Sequence, residues 1–243
     1  MLFLLYHELR DGDSRYTYAA SSNLFRRHLE LYTAARADPA LIWPEVTFDD
    51  GHISNHTIAA PLLAFYGIKA HFFITSGWTG IKPGYMGWAE LRDLGQAGHV
   101  IGAHGWSHAL LTHCNDRELE MELVQSRRTL EDKLGVPVTT MSLPGGRANA
   151  RVFAACARAG YSRVFTSIPH AEASLSPHPG RLNILGEMQP EWLEKLLDPG
   201  TGILASLERK QRIKDAAKSL LGDRLYEKLW AVVNRHEPED ITA

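Results

Sequence analysis

The chain has 243 residues, 44% of them hydrophobic, with 26 basic against 28 acidic side chains and a net charge of −2. That content excludes a disordered chain, and the near-neutral balance excludes a whole-protein nucleic-acid footprint. The length fits one large domain or two small ones, and a fold of this size buries roughly 70–75% of its unfolded surface without staples.

Leu2–Tyr6 is a short apolar run that predicts a buried first strand. It lacks the basic flank and long apolar stretch of a signal peptide, and no segment reaches the about 18 apolar residues of a membrane span. A cytoplasmic protein is expected. Ser21-Ser22-Asn23 can cap a helix with Leu24, Phe25, His28, Leu29 and Tyr32 on one side. Glu45–Asp49 reads as a strand, Ile53–Tyr66 as a helix closed by Gly67, and Ile68–Ile74 as a third strand. Trp88–Gln96 is a short helix, and His99–Ala103 a fourth strand. Asp116–Leu134 is a helix carrying Leu119, Leu123, Leu130 and Leu134, ended by Gly135-Val136-Pro137. Val138–Leu143 is a strand, Arg151–Ala159 a helix, and Tyr161–Thr166 and Arg181–Leu185 further strands. Strand–helix alternation predicts a parallel sheet, and six or seven such units predict an incomplete or distorted (β/α) barrel. In barrels the chemistry sits at the C-terminal strand ends.

The barrel is expected over residues 1–190, with a helical extension over 191–243 packed on or beside it. Glu208–Arg235 carries eight Lys/Arg against four Asp/Glu, with Leu220, Leu221, Leu225, Leu229 and Val232 at helical spacing. One reading is a packing helix with a solvated basic face. The other is a basic amphipathic element that meets a membrane surface or a partner. Cys114 and Cys156 exclude a disulfide framework and a four-thiolate zinc site, and are read as buried thiols of a reducing compartment.

Three polar motifs follow strands. Thr47-Phe48-Asp49-Asp50-Gly51 sets two adjacent carboxylates at a strand end, where like charges repel unless a cation or proton intervenes. The pair can diverge and take different roles. His104-Gly105-Trp106-Ser107-His108 spaces two histidines at i and i+4, which on one helical turn face the same way and can chelate a divalent cation. Two histidines and a carboxylate suit zinc, or cobalt or nickel, activating water. Pro144-Gly145-Gly146-Arg147 is a Gly-rich turn whose backbone N–H groups can face a developing oxyanion.

These motifs resemble those of the polysaccharide deacetylase family, the carbohydrate esterases that share the NodB-homology domain. Thr47–Gly51 matches the family's first motif, His104–His108 its His-x-x-x-His, and Pro144–Gly146 the core of its third. The resemblance implies a distorted (β/α)₇ barrel that hydrolyses the N-acetyl group of a hexosamine. It implies Asp50, His104 and His108 as metal ligands and Asp49 as the general base. It places the Gly145 N–H as oxyanion donor, within a turn from Pro144 to Arg147 beside the substrate.

Three departures stand out. Ser142 occupies the place of the base-orienting arginine, with Arg147 five residues on as its substitute. Gly145 replaces an aromatic residue and opens the site. The family's late Leu-x-His, which supplies the general acid, has no counterpart in Arg181–Leu185. His7, His170 and His178 are the candidates for that acid; His7, at the end of the first strand, is preferred. The Pro-Gly-Gly-Arg form resembles bacterial deacetylases encoded with exopolysaccharide or lipid-linked sugar assembly. The expected substrate is therefore an N-acetylated amino sugar in a polysaccharide, an oligosaccharide or a lipid-linked precursor, with a membrane or exopolysaccharide-assembly partner for the basic helices. Alternatives are a deformylase or O-acetyl esterase, and a degenerate glycan-binding protein.

Overall fold

The computed structural model describes residues 1–12, 16–172 and 176–221. Strands β1 (Leu2–Tyr6), β2 (Glu8–Arg10) and β3 (Ala19–Ser21) lead into helix α1 (Ser22–Ala37). Then follow β4 (Pro44–Phe48), α2 (Ala60–Phe65), β5 (Ala70–Ile74), α3 (Trp88–Gln96), β6 (Val100–Ala103) and α4 (Asp116–Leu134). The barrel ends with β7 (Thr140–Ser142), α5 (Ala150–Arg158), β8 (Arg163–Phe165) and β9 (Arg181–Asn183). Helices α6 (Pro190–Leu197) and α7 (Ile203–Leu221) follow.

Seven strands form one parallel sheet in the order β8-β7-β6-β5-β4-β1-β9. Its two edges nearly meet. Along that seam residues 177–179 run beside β8, where Val164 N–H donates to Pro177 O (2.8 Å) and Thr166 N–H to Pro179 O (2.9 Å). The fold is thus the expected distorted barrel. β2 and β3 pair separately, a two-stranded parallel unit that the sequence did not announce.

β1 is buried on both faces, as a parallel strand covered by helices requires. Leu2, Leu4 and Tyr6 join the outer core with Phe25, Leu29 and Tyr32 of α1. Ser21 caps α1 by accepting from Leu24 N–H at 3.1 Å, and the buried face of that helix includes all five predicted residues. Phe3, Phe73 and Phe165 fill the barrel interior, with ring centroids 5.0 Å apart for Phe3–Phe165 and 4.9 Å for Phe73–Phe165. This plug forms the floor beneath the site.

The predicted Ile53–Tyr66 helix opens instead as a π-turn over Asn55–Ala59. Ile53 N–H bonds Gly84 O at 2.8 Å, and Asn55 is buried with its amide donating to His7 O at 2.8 Å. Tertiary partners therefore take the polar groups of the first turn. Leu193, Leu196 and Leu197 of α6 are fully buried in the main core. Cys156 is buried, whereas Cys114 is only half-buried, a correction to its reading as a core thiol. Residues 222–243, most of the basic stretch, lie outside the described residues. No described helix is long and apolar enough to cross a membrane.

Candidate metal and catalytic site

β4 delivers Asp49 and Asp50 to the barrel mouth. Asp50 has φ 71° and Gly51 φ 87°, so the chain makes two left-handed steps. Glycine takes that conformation freely and aspartate tolerates it. The turn sends the two carboxylates apart.

Asp50 Oδ1 lies 3.3 Å from His104 Nε2 and 3.3 Å from His108 Nε2. All three atoms fall within 4.8 Å of one another. Asp50 Oδ1 is buried and accepts no hydrogen bond from the described residues. His104 Nδ1 sits 2.9 Å from Ser142 O, an obligate acceptor, so that nitrogen carries the proton and Nε2 presents its lone pair. A buried orphan oxygen facing imidazole nitrogens is a donor set suited to a divalent cation. Burial alone would push the Asp50 carboxyl up; His104 and His108 outweigh it and hold the group well below the usual carboxylate range. His104 is likewise pushed down by burial and raised more by Asp49 and Asp50.

The two histidines do not share a helical turn. Gly105 has φ 77° and His108 φ 67°, and the segment is a looped turn that brings the ring centroids to 5.0 Å. The i and i+4 spacing brings the two rings together through a looped turn, a correction to the helical turn expected for them.

Asp49 is 2% exposed. Arg181 grips it with both arms: Nη1 donates to Oδ1 at 2.7 Å and Nη2 to Oδ2 at 2.8 Å. Ser142 Oγ donates to the same Oδ2 at 2.8 Å while accepting from Arg181 Nη2 at 2.6 Å. Arg181 is fully buried, with its guanidinium over Phe73 (5.3 Å) on the aromatic floor. Burial raises the Asp49 carboxyl, but Arg181 and then His104 outweigh it, leaving the pKa lowered. The guanidinium on the candidate base therefore comes from β9, not from Arg147. The sequence carried one signal for it, a charged residue heading a mostly buried strand.

Pro144–Gly146 forms a single 3₁₀ turn directly after β7, with Gly145 at φ 64° and exposed at the rim. A Cβ on Gly145 would stand 2.8 Å from Leu110 Cδ2, so a larger residue would displace that wall.

His7 follows β1 and sits against Tyr18, ring centroids 5.0 Å apart. Its Nδ1 is buried without a hydrogen-bond partner among the described residues. Burial lowers its pKa against the opposing fields of Asp50 and Asp49. His170 instead pairs with Glu172 at 2.8 Å, and Glu172 exchanges backbone hydrogen bonds with Met1, at the opposite end of β1. His178 stacks on Phe153 of α5 at 4.0 Å, on the outer side of the barrel. Of the three candidate acids, only His7 lies with the carboxylates.

Residues 44–164 match the family model described as polysaccharide deacetylase. The peptidoglycan-N-acetylglucosamine deacetylase PgdA of Listeria monocytogenes is 32% identical over 108 residues, covering 44% of this chain and 22% of the relative. The Streptococcus pyogenes deacetylase PplD, solved in complex with acetate, aligns with a TM-score of 0.71 at 22% identity, covering 82% of this chain and 98% of that one. IcaB from Ammonifex degensii aligns with a TM-score of 0.67 at 21% identity, covering 85% and 96%. At these identities the two solved structures establish the fold alone. The chain spans less than half the length of the first curated relatives it matches, 45% and 22%.

Proposed function

The chain belongs to the polysaccharide deacetylase family, and from that premise we propose that it is a divalent-metal-dependent hydrolase of N-acetylated amino sugars in a polysaccharide, oligosaccharide or lipid-linked precursor. One observation carries the reading. A three-donor cluster, Asp50, His104 and His108, stands beside a second carboxylate that is held apart from it by Arg181. A purely structural acidic pair has no use for that separation.

Asp50, His104 and His108 would hold the cation, with zinc first and cobalt or nickel as substitutes. When bound, such an ion lowers the pKa of a coordinated water towards about 7 and polarises the acetyl carbonyl. Asp49 acts as general base. An ionised carboxylate offers about four acceptor positions, and Arg181 and Ser142 occupy three, leaving one for the proton of the attacking water. The depressed pKa keeps Asp49 ionised at neutral pH. The Gly145 N–H, in the exposed turn after β7, would donate to the oxygen where negative charge develops. His7 would protonate the departing amine from its imidazolium form, which a lowered pKa makes a stronger acid. General-base catalysis contributes about 10²–10⁴ in rate and an oxyanion donor about 10²–10³.

The test is acetate release from N-acetylglucosamine oligosaccharides with zinc, cobalt or nickel, alongside N-formylated and O-acetylated sugars. Release from the N-acetyl substrates that falls by at least about 10²-fold in Asp49→Asn supports the reading. Turnover confined to the formyl or O-acetyl substrates, or unchanged in Asp49→Asn, would refute it.

A further inference from the structure

We propose that Glu122 on α4 is the positioning residue that holds His108 in its ligating geometry; this rests on the metal reading above. Glu122 is 4% exposed on a helix face otherwise lined by Leu119, Leu123, Ser126 and Leu130. A charged group there costs desolvation unless strong hydrogen bonds compensate. Its carboxylate finds them in the turn that joins the two histidines. Oε2 accepts from Trp106 N–H at 2.7 Å and from Ser107 N–H at 2.9 Å, and Oε1 accepts from Ser107 Oγ at 2.5 Å.

One helical turn further on, Ser126 Oγ donates to Gly105 O at 3.0 Å. Across the loop, Gly77 N–H donates to Trp106 O at 2.9 Å and Ser76 N–H to Gly105 O at 3.2 Å. Gly105 has no room for a side chain on this side, since a Cβ would lie 3.0 Å from Glu122 Oε2. All three residues between the histidines are thereby fixed.

His108 needs this. It holds φ 67°, a left-handed conformation that strains a non-glycine residue and persists only where its surroundings over-determine it. His104 is anchored separately, on the end of β6 and through Nδ1 to Ser142 O. Loss of the Glu122 contacts therefore frees His108 to relax while Asp50 and His104 stay in place.

The experiment titrates the full-length apoprotein with Co²⁺, following visible absorption against a competing chelator. Hydrogen-bond partners behind a ligand typically govern 10–100-fold in metal affinity. Glu122 is bonded to the loop rather than to His108 itself, so Glu122→Ala should weaken Co²⁺ by about 10-fold, the lower end of that range, and alter the visible spectrum. Glu122→Gln, which keeps an acceptor for Ser107, should lose less and serves where the alanine variant does not fold. In a His108→Ala background, Glu122→Gln should change affinity less than twofold, because the ligand it positions is gone. Affinity and spectrum unchanged in both Glu122 variants, with His108→Ala impaired, would overturn this inference alone. So would an equal loss with and without His108. A His108→Ala variant that binds Co²⁺ like wild type would overturn the metal reading and this inference together.

Discussion

Arg181→Ala isolates the charge pair on which the candidate base depends. The substitution removes two of the three hydrogen bonds to Asp49 and leaves a carboxylate that is 2% exposed without its counter-ion. Breaking a buried pair by deleting one partner costs about 3–5 kcal/mol. At about 2–4 °C per kcal/mol for a chain of this size, Tm should fall by about 6–20 °C. The pH dependence identifies the cause. In the wild type the Asp49 pKa is depressed, so its stabilisation is present above the unfolded value and lost as pH falls through the folded one. In the variant the burial effect is unopposed by the guanidinium, so the folded pKa rises above the unfolded value of about 3.9. Its penalty then grows with rising pH. The stability gap between wild type and variant should therefore narrow on going from pH 7.5 to pH 5, read by urea unfolding. The acidic limb of the pH–rate profile, which reports ionised Asp49, should move to higher pH. A gap of equal size at both pH values would refute the reasoning. The loss would then come from the arginine's packing on Phe73 and Phe165 rather than from its charge.

His104→Ala and His108→Ala should each lose tight metal binding, measured as zinc retained after dialysis; unchanged metal content in either would break the ligand assignment. His7→Ala should cut kcat on N-acetylated oligosaccharides by about 10²-fold or more while Co²⁺ affinity holds. A wild-type kcat would remove His7 as the acid. His28 is buried against Tyr6 OH (2.9 Å) and Met188 O (2.7 Å), and burial pushes its pKa down to about 4. The unfolded chain then binds the proton first, so stability should fall as pH drops from about 6.5 to 4, by at most about 3 kcal/mol. His28→Gln should flatten that slope in a Tm-against-pH series, and an unaltered slope would place the acid sensitivity elsewhere.

What the sequence disclosed about this site follows the distance over which each relation acts. Asp49 and Asp50 are neighbours at a strand end, and His104 and His108 bracket one turn, so local order and strand alternation were enough to bring them to the mouth. Even there the mechanism differed, because left-handed steps at Gly105 and His108 do what a helical turn was expected to do. Arg181 was out of reach for another reason. Its grip on Asp49 spans 132 residues and depends on how the barrel closes, since the long Arg181 side chain, rising from the start of β9 over Phe73 and Phe165, reaches Asp49 just beyond β4 and Ser142 at the end of β7. Side-chain pattern along β9 shows only a charge at the head of a buried strand; the direction of that charge is a property of closure. The same closure accounts for Ser142. A small residue there leaves space for a guanidinium arriving from β9 across the seam, and its hydroxyl relays one hydrogen bond between Arg181 and Asp49. The serine at the expected arginine position thus still leaves Asp49 with a guanidinium partner. The cation on Asp49 is supplied from another strand, through two hydrogen bonds from Arg181. An ionised, oriented carboxylate beside the three-donor cluster is what the proposed general-base role requires, and Arg181 is what supplies it.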